Sequence, residues 1–598
     1  MTEFIQLRNI SVAELVIKYL ELEGITHVFG IPGGYINPFL EILREHPTIK
    51  LIISRHEEGA AFMADGYARA TGKLGVIFTT AGPGATNALT GIACAKVDHS
   101  PLMLIVGQPS TAISGYGAWQ DSSYSGINIC EIFRHVCRFS EVATHAENFP
   151  SLFARALRVA HGTPKQTVHI SFPINISASK ISNVDFPLER NYIFPTGGLG
   201  FSCNEETIEK IFSIINQSKN PVIMIGSGCT NAFRKPGVLA LFSYFVTRHN
   251  IPVMTTPKAK GLFPETHQFS LGVFGLGGSL HSDLYLEKNP PDTVIVLGSS
   301  LNEWASQQWD QKFRPSKTMI QVDIDATHIG RVYLVHYALL CDIEIFIHRL
   351  IEIDKKNISI FDSISRNENH LALFKKETSK FLNVDKMHSN DIPLKPQRVF
   401  YELSNFSKDK EISFFLDIGN STGFFSHYTQ LGLSNFLYSA YGFTCMGWSN
   451  GAAIGAKLAS PDSTCIAIMG DGAFLMNGVE IQTATRYNVG VIYMVMFDDA
   501  YGMVNHGMNA VSKNVYTERD YFSLGTPDLV KFSESLGADS YLIDKPEQLQ
   551  NHLTLVCKNA DIFKKPQILI VKIDPNEQAP FGVRHKALQK VMEQEQAG

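Results

Sequence analysis

Three times along the 598-residue chain, short apolar runs of strand length alternate with longer stretches of helical periodicity, and several runs end in a glycine-containing turn. In the first block the runs lie at 26–29, 51–53, 75–78 and 102–106, separated by helical stretches such as 60–70 and 85–95. Runs without polar alternation suit strands buried on both faces, and strands joined through helices lie parallel. The same rhythm returns from 221 to about 350 and again from 412 to 572. The pattern predicts an α/β protein of three doubly wound parallel-sheet domains, over residues 1–180, 201–353 and 397–580. Two stretches without periodicity, 177–203 and 354–396, read as linkers.

Composition narrows the function classes. Fifty-two basic against 57 acidic side chains give a formal charge of −5, which excludes a polycationic nucleic-acid binder. No apolar run approaches the roughly 18 residues of a membrane span. An acidic residue, Glu3, stands where a signal peptide needs bases, so a soluble, cytoplasmic protein without membrane partners is expected. The nine cysteines form no CxxC pair and no cysteine–histidine spacing of a zinc site, and read as reduced structural thiols. Ser11 and Glu14 form a capping box before Val12, Leu15, Val16, Tyr19 and Leu20 at helical spacing, and Gly24 closes that helix.

Four glycine turns follow apolar runs: Gly30-Ile31-Pro32-Gly33-Gly34, Gly82-Pro83-Gly84, Gly226-Ser227-Gly228 and Gly470-Asp471-Gly472. None completes G-x-x-x-x-G-K-[ST] or G-x-G-x-x-G, so the ATP-driven and simple dinucleotide readings lack their motif. The last turn carries an aspartate, and the next strand ends in Asp498-Asp499-Ala500-Tyr501-Gly502-Met503. Strand ends on one edge of a parallel sheet converge, so Asp471 and Asp498 can ligate one hard cation, Mg²⁺ holding a diphosphate; the alternative is two solvated loop carboxylates. Glu57 heads a helix whose Ala60, Ala61, Ala64 and Ala68 share its face, which marks either a partly desolvated carboxyl or a first-turn glutamate favoured by the helix dipole. Glu58, Asp65 and Arg69 read as a solvated, mutually paired flank.

Taken in order, FGIPGG, RHEEGAAFMADGYARATG, AGPGATNALTGIACA, FTCMGWSNGAAIGAKLA, GDGAFLMNGVEIQTATRYN and FDDAYGM resemble the thiamine-diphosphate (ThDP) dependent enzymes, most of all their acetolactate (acetohydroxyacid) synthase large-subunit branch. The resemblance implies a pyrimidine-binding domain, a central domain and a diphosphate-binding domain. Each active site would lie between the first domain of one subunit and the last of another, in a homodimer or homotetramer; it says nothing of a regulatory subunit. It makes Glu57 the glutamate that hydrogen-bonds the 1' nitrogen of the cofactor's aminopyrimidine and favours its imino form. It places Met446 under the cofactor, and makes Asp471, Asp498 and the Ala500 carbonyl ligands of Mg²⁺. Gly33, Gly34, Asn420, Ser421, Gly470, Gly472, Ala473, Tyr501, Gly502 and Met503 join the cofactor site. Gln120 falls at the substrate end of the pocket, or is an ordinary loop glutamine.

The chain departs from that family at several places. Asp498 stands where the family usually has asparagine. The stretch 298–304 lacks both arginines of the family's flavin-associated segment, and Pro173-Ile174-Asn175-Ile176 replaces Pro-Lys-Asp-Val, which leaves FAD a doubtful cofactor. Gly507 replaces a tryptophan that selects the acceptor, so a different or roomier acceptor pocket is expected. Tyr35 and Trp119 are expected as aromatic walls of the pocket. No His-His pair is present, and His56, His99 and His506 read as structural or surface histidines. The expectation is decarboxylation of a 2-oxo acid, pyruvate first, with ligation to a second carbonyl. The alternatives are an aldehyde-releasing decarboxylase, a flavin-dependent oxidase, or a degenerate relative that no longer binds ThDP.

Overall fold

The computed structural model describes residues 4–190, 203–357, 370–511 and 521–582. Three six-stranded sheets, each wholly parallel, carry the chain, as the sequence rhythm predicts. Across the first the order is Lys50–Ile53, His27–Gly30, Gly75–Thr79, Leu102–Gln108, Thr167–Pro173, Phe139–Val142. The third runs Asn435–Ser439, Ile412–Leu416, Thr464–Gly470, Ile492–Phe497, Gln567–Lys572, Asp539–Ile543. Numbered within each sheet, both follow 2-1-3-4-6-5. The central sheet, built from Pro221–Ile225, Val253–Thr255, Ser270–Val273, Thr293–Leu297, Thr318–Asp323 and Tyr337–Leu340, follows 3-2-1-4-5-6 instead.

In each sheet the chain reverses its direction of travel beside the first strand, and such switch points open a crevice at the carboxyl ends of the strands. The crevice lies beside the Gly30 and Gly82 turns in the first sheet, the Gly226 and Gly298 turns in the second, and the Asp417 and Gly470 turns in the third. The glycine turns noted in the sequence therefore sit at the three places where this topology can hold a ligand.

Two expectations need correction. Residues Lys180–Pro187, within a stretch read as linker, form a strand that pairs antiparallel with Phe4–Ser11, with Ile10 opposite Ile181. Only Ile181, Phe186 and Pro187 of that strand are buried, so its pattern lacks the apolar run that marked the others. The second supposed linker holds the helix His370–Glu377, anchored by Leu371 and Phe374 while Ala372, Leu373 and the charged residues stay exposed or half-buried.

The first and third domains share one core. The helix Glu57–Thr71 crosses Trp448–Ala459 at backbone contact distance: a Cβ on Gly66 would stand 2.0 Å from the Ala452 carbonyl oxygen, and one on Gly455 1.8 Å from that of Met63. Small residues permit that approach, and burial of both apolar faces drives it. No helix among the described residues is long and apolar enough to cross a membrane.

Candidate functional site

Asp471 follows the strand Thr464–Gly470 and is 1% exposed. Its carboxylate accepts the backbone N–H groups of Gly472 (2.9 Å) and Asp499 (2.7 Å), and the second bond ties this turn to the loop after the next strand. That loop is pinned from outside as well: Tyr501 N–H donates to the Phe522 carbonyl (2.8 Å) and Thr526 N–H to the Asp499 carboxylate (2.7 Å). Burial pushes the Asp471 carboxyl up to about 6, so it stays largely ionised at neutral pH and a cation competes with a proton for it only in acid.

Asp498 is half-buried beside Gly502, where a Cβ would stand 2.5 Å from Asp498 Oδ2 and 3.0 Å from Asn420 Nδ2. Asn420 opens the helix Asn420–Tyr428 and donates its side-chain N–H to His506 Nδ1 (3.2 Å), while His506 Nε2 donates to the Pro575 carbonyl (2.9 Å). In this arrangement Nε2 carries a proton and Nδ1 accepts. Ser421 Oγ, at the same helix N-terminus, is buried without a hydrogen-bond partner among the described residues. Met446 and Tyr501 flank Gly472, each within 3.3 Å of where its Cβ would be, and nothing lies within 4 Å of a Cβ on Gly470. Ala473 and Ala500 are buried, and Met503 packs partly buried on the domain's core.

These residues fit a Mg²⁺-diphosphate group. Asp471 and Asp498, with the Ala500 carbonyl two residues on, offer only oxygen donors, the type a hard cation takes, and the orphaned Ser421 hydroxyl at a helix N-terminus suits a phosphate oxygen.

The second cluster belongs to the first domain. Glu57, 8% exposed at the head of its helix, accepts a hydrogen bond on Oε2 from Asn87 Nδ2 (3.0 Å), and Gly84 lies close enough that a Cβ there would be 3.4 Å from Oε1. Gly82, at φ +62°, donates its N–H to Ser122 Oγ (2.6 Å), which donates to the Gln120 carbonyl (3.1 Å). Gln120 is therefore held at this crevice through its backbone, at φ +54°, with its side chain exposed. A Cβ on Gly33 would stand 2.4 Å from that of Thr80, whereas one on Gly34 would meet nothing within 4 Å.

Of the two expected aromatic walls, Tyr35 is half-buried and donates to the Trp119 carbonyl (2.7 Å), but the Trp119 side chain points outward, 89% exposed. It stands on a loop whose Tyr116 and Tyr124 are also more than three-quarters exposed, so nothing among the described residues closes over it.

The expected residues thus gather into two sets, Gly33, Gly34, Glu57 and Gln120 in one and Asn420 to Met503 in the other. Sequence reasoning missed Asn87 as the partner of Glu57, although it stands inside the AGPGATN motif, and His506 as the support of Asn420. Within the chain the C-terminal domain holds the Glu57 helix: Glu480 accepts the N–H groups of Arg55 and His56 (both 3.0 Å), and Asn477 donates to Glu58 (3.0 Å).

The Asp65–Arg69 pair exists, but it is buried and not solvated. Asp65 accepts Arg69 (2.7 and 2.9 Å) and Trp448 Nε1 (2.8 Å); Arg69 also donates to Asp98 (2.9 Å) and the Ser439 carbonyl (2.8 Å). Lys258 of the central domain completes the cluster at Asp98 (2.5 Å). The Trp448–Ala459 helix covers this flank, which a single-helix pattern does not reveal. Beside it a cavity of about 520 Å³ lies where all three domains meet, at the central switch point, and Gly298, Ser299, Asn302 and Trp304 line it.

Comparison with known proteins agrees with this layout. Residues 10–129 match the thiamine pyrophosphate enzyme N-terminal TPP binding domain, 208–350 the central domain and 417–564 the C-terminal TPP binding domain. The chain belongs to the thiamine pyrophosphate enzymes. It is 30% identical to a probable acetolactate synthase large subunit of Methanocaldococcus jannaschii, over 95% of this chain and 93% of that one. It is 30% identical to the acetolactate synthase large subunit of Buchnera aphidicola subsp. Schizaphis graminum (92% of each), and 28% to acetolactate synthase isozyme 3 large subunit of Escherichia coli (91% and 92%). Within the family its place is the acetolactate synthase large-subunit branch, and it is a ThDP-dependent enzyme.

Proposed function

We propose that the enzyme decarboxylates a 2-oxo acid, pyruvate first, and joins the acyl unit to a second carbonyl, giving acetolactate or a close relative. The observation that carries this reading is the Gly472 turn, set between Met446 and Tyr501 on the sheet edge that bears Asp471 and Asp498. Bound ThDP supplies a nucleophilic carbon and an electron-accepting ring. Asp471, Asp498 and the Ala500 carbonyl hold Mg²⁺, while Asn420, Ser421, Gly470 and Ala473 receive the diphosphate. Met446 and Tyr501, both beside Gly472, would contact the cofactor there, with Gly472, Gly502 and Met503 next to them in the site. Glu57, kept in register by Asn87, holds a proton against the aminopyrimidine beside Gly33 and Gly34, and Gln120 faces the substrate end. No step is assigned to a flavin.

The active unit in this reading is a homodimer or larger, with Glu57 of one subunit serving the Asp471 site of another. Support comes from the exposed apolar residues next to both clusters: Tyr116, Trp119 and Tyr124 beside Gln120, and Val504 and Met508 beyond Tyr501. The large-subunit name of the relatives bears on a regulatory partner only through an association experiment. Product analysis with ThDP, Mg²⁺ and pyruvate tests the reaction: acetolactate is expected, whereas acetaldehyde as the sole product replaces the proposal by a simple decarboxylase.

A further inference from the structure

His99 and the pair Asp325 and His328 are 226 residues apart or more, yet they meet at the rim of the three-domain cavity. His99 Nε2 lies 3.8 Å from Asp325 Oδ2, and His328 Nε2 lies 3.9 Å from the same oxygen. One ligand atom from each residue can be chosen so that all three fall within 4.8 Å of one another. The far nitrogen of the His328 ring, Nδ1, faces Asp323 Oδ2 at 3.5 Å. None of these groups takes part in the site proposed above.

We propose that His99, Asp325 and His328 bind one transition-metal cation of the Zn²⁺ class, which clasps the first domain to the central domain at the cavity rim. Two imidazole nitrogens and one carboxylate oxygen are the donor types such a cation takes. At bond lengths of about 2.0–2.1 Å, tetrahedral ligand atoms stand roughly 3.4 Å apart, so closing the site shortens each carboxylate–imidazole distance by about half an ångström and the distance between the two imidazole nitrogens by up to about 1.4 Å. Asp323 supplies the carboxylate that orients a metal-bound imidazole through its second nitrogen. Of the cations that face the two imidazoles, Lys258 has its charge matched by Asp98 (2.5 Å), while Arg331 beside His328 opposes a bound cation and is outweighed by the carboxylates of Asp325 and Asp323. His99 holds a left-handed backbone (φ +53°), which turns its ring toward the central domain at a position where a β-branched residue would be strained. The fourth coordination position faces the cavity and takes water.

Metal-free protein is dialysed against Zn²⁺ with ThDP and excess Mg²⁺ present, and bound zinc per chain is measured by atomic emission. In parallel, Co²⁺ is added and its visible absorption recorded. Wild type is compared with the His99→Asn/His328→Asn double variant and with Asp325→Asn alone, and undiminished ThDP binding certifies that each variant is folded. The proposal expects one more zinc per chain in wild type than in the double variant, intense tetrahedral Co²⁺ bands lost in both variants, and affinity weakened roughly 10- to 100-fold by Asp323→Asn. Equal zinc content and equal Co²⁺ spectra in wild type and variants overturn it, because the metal then binds at other histidines or cysteines.

Discussion

Replacing Asp65 by asparagine tests how the first and last domains are held together. Asp65 and Asp98 face Arg69 and Lys258, so the native cluster is neutral and the variant carries one uncompensated positive charge. Asp65 is 0% exposed and the Arg69 side chain 12%, so water does little to replace the lost partner. Two carboxylate oxygens now accept three N–H groups, Nε and Nη2 of Arg69 and Nε1 of Trp448, whereas an amide offers one acceptor. Burial opposes the Arg69 charge, but Asp65 and Asp98 together hold its guanidinium well above the usual arginine range; burial likewise opposes the Asp98 charge, yet Lys258 and Arg69 hold it below the usual carboxylate range. Breaking a buried pair from one side costs about 3–5 kcal/mol. The same i,i+4 pair on a solvated flank would be worth about 0.3–0.5 kcal/mol. Urea unfolding followed by tryptophan fluorescence reads the difference, with Glu206→Gln, which breaks the exposed Glu206–Lys210 pair, as the control. A loss for Asp65→Asn no greater than for the control refutes the buried-cluster reasoning.

Glu57→Gln is expected to keep ThDP affinity in calorimetry while kcat falls by roughly 10²- to 10⁴-fold, the usual range for a lost acid–base contact. The two most deeply buried histidines are expected to cost stability in acid, while Asp417 and Asp471, which burial pushes up to about 6, offset part of that cost. Burial pushes His169 down to about 3 and His427 to about 4, so between pH 6.5 and 4 the unfolded chain binds protons that the folded chain refuses. Their contribution is complete above about pH 6.5, and by pH 4.5 each histidine costs on the order of 2–3 kcal/mol; a His169→Gln protein whose urea midpoint falls between pH 7.5 and 4.5 as far as that of wild type contradicts this. Mixing the inactive Glu57→Gln and Asp471→Asn proteins and letting subunits exchange is expected to restore part of the activity, because hybrid dimers hold one intact site. No recovery would place both groups in one subunit's site.

Much of the fold was legible because its strands are buried on both faces and its helices carry their caps on the sequence. Ser11 and Glu14 make the capping box as read, with bonds at 2.8 and 3.1 Å. The strand Lys180–Pro187 was not legible, since its pairing with Phe4–Ser11 leaves most of it solvated and its partner lies far off in sequence. The Asp65 cluster failed for a related reason: helical periodicity tells which residues share a flank, and only the crossing of a second helix decides that the flank is dry. At the site, Asp471 was legible from its glycine turn at a strand end, and Met446 from the family resemblance. His506 and Asn87 were not, because their part is to hold Asn420 and Glu57, and residues that act through another residue leave no spacing to read.

The most direct test of the account is a calorimetric titration of the protein with ThDP, with and without Mg²⁺, repeated on Asp471→Asn. The account predicts one ThDP per chain in wild type, affinity that depends on Mg²⁺, and loss of that dependence in the variant. Binding that is indifferent both to Mg²⁺ and to Asp471 would contradict the assignment of the Gly470–Asp498 edge as the seat of the metal and the diphosphate.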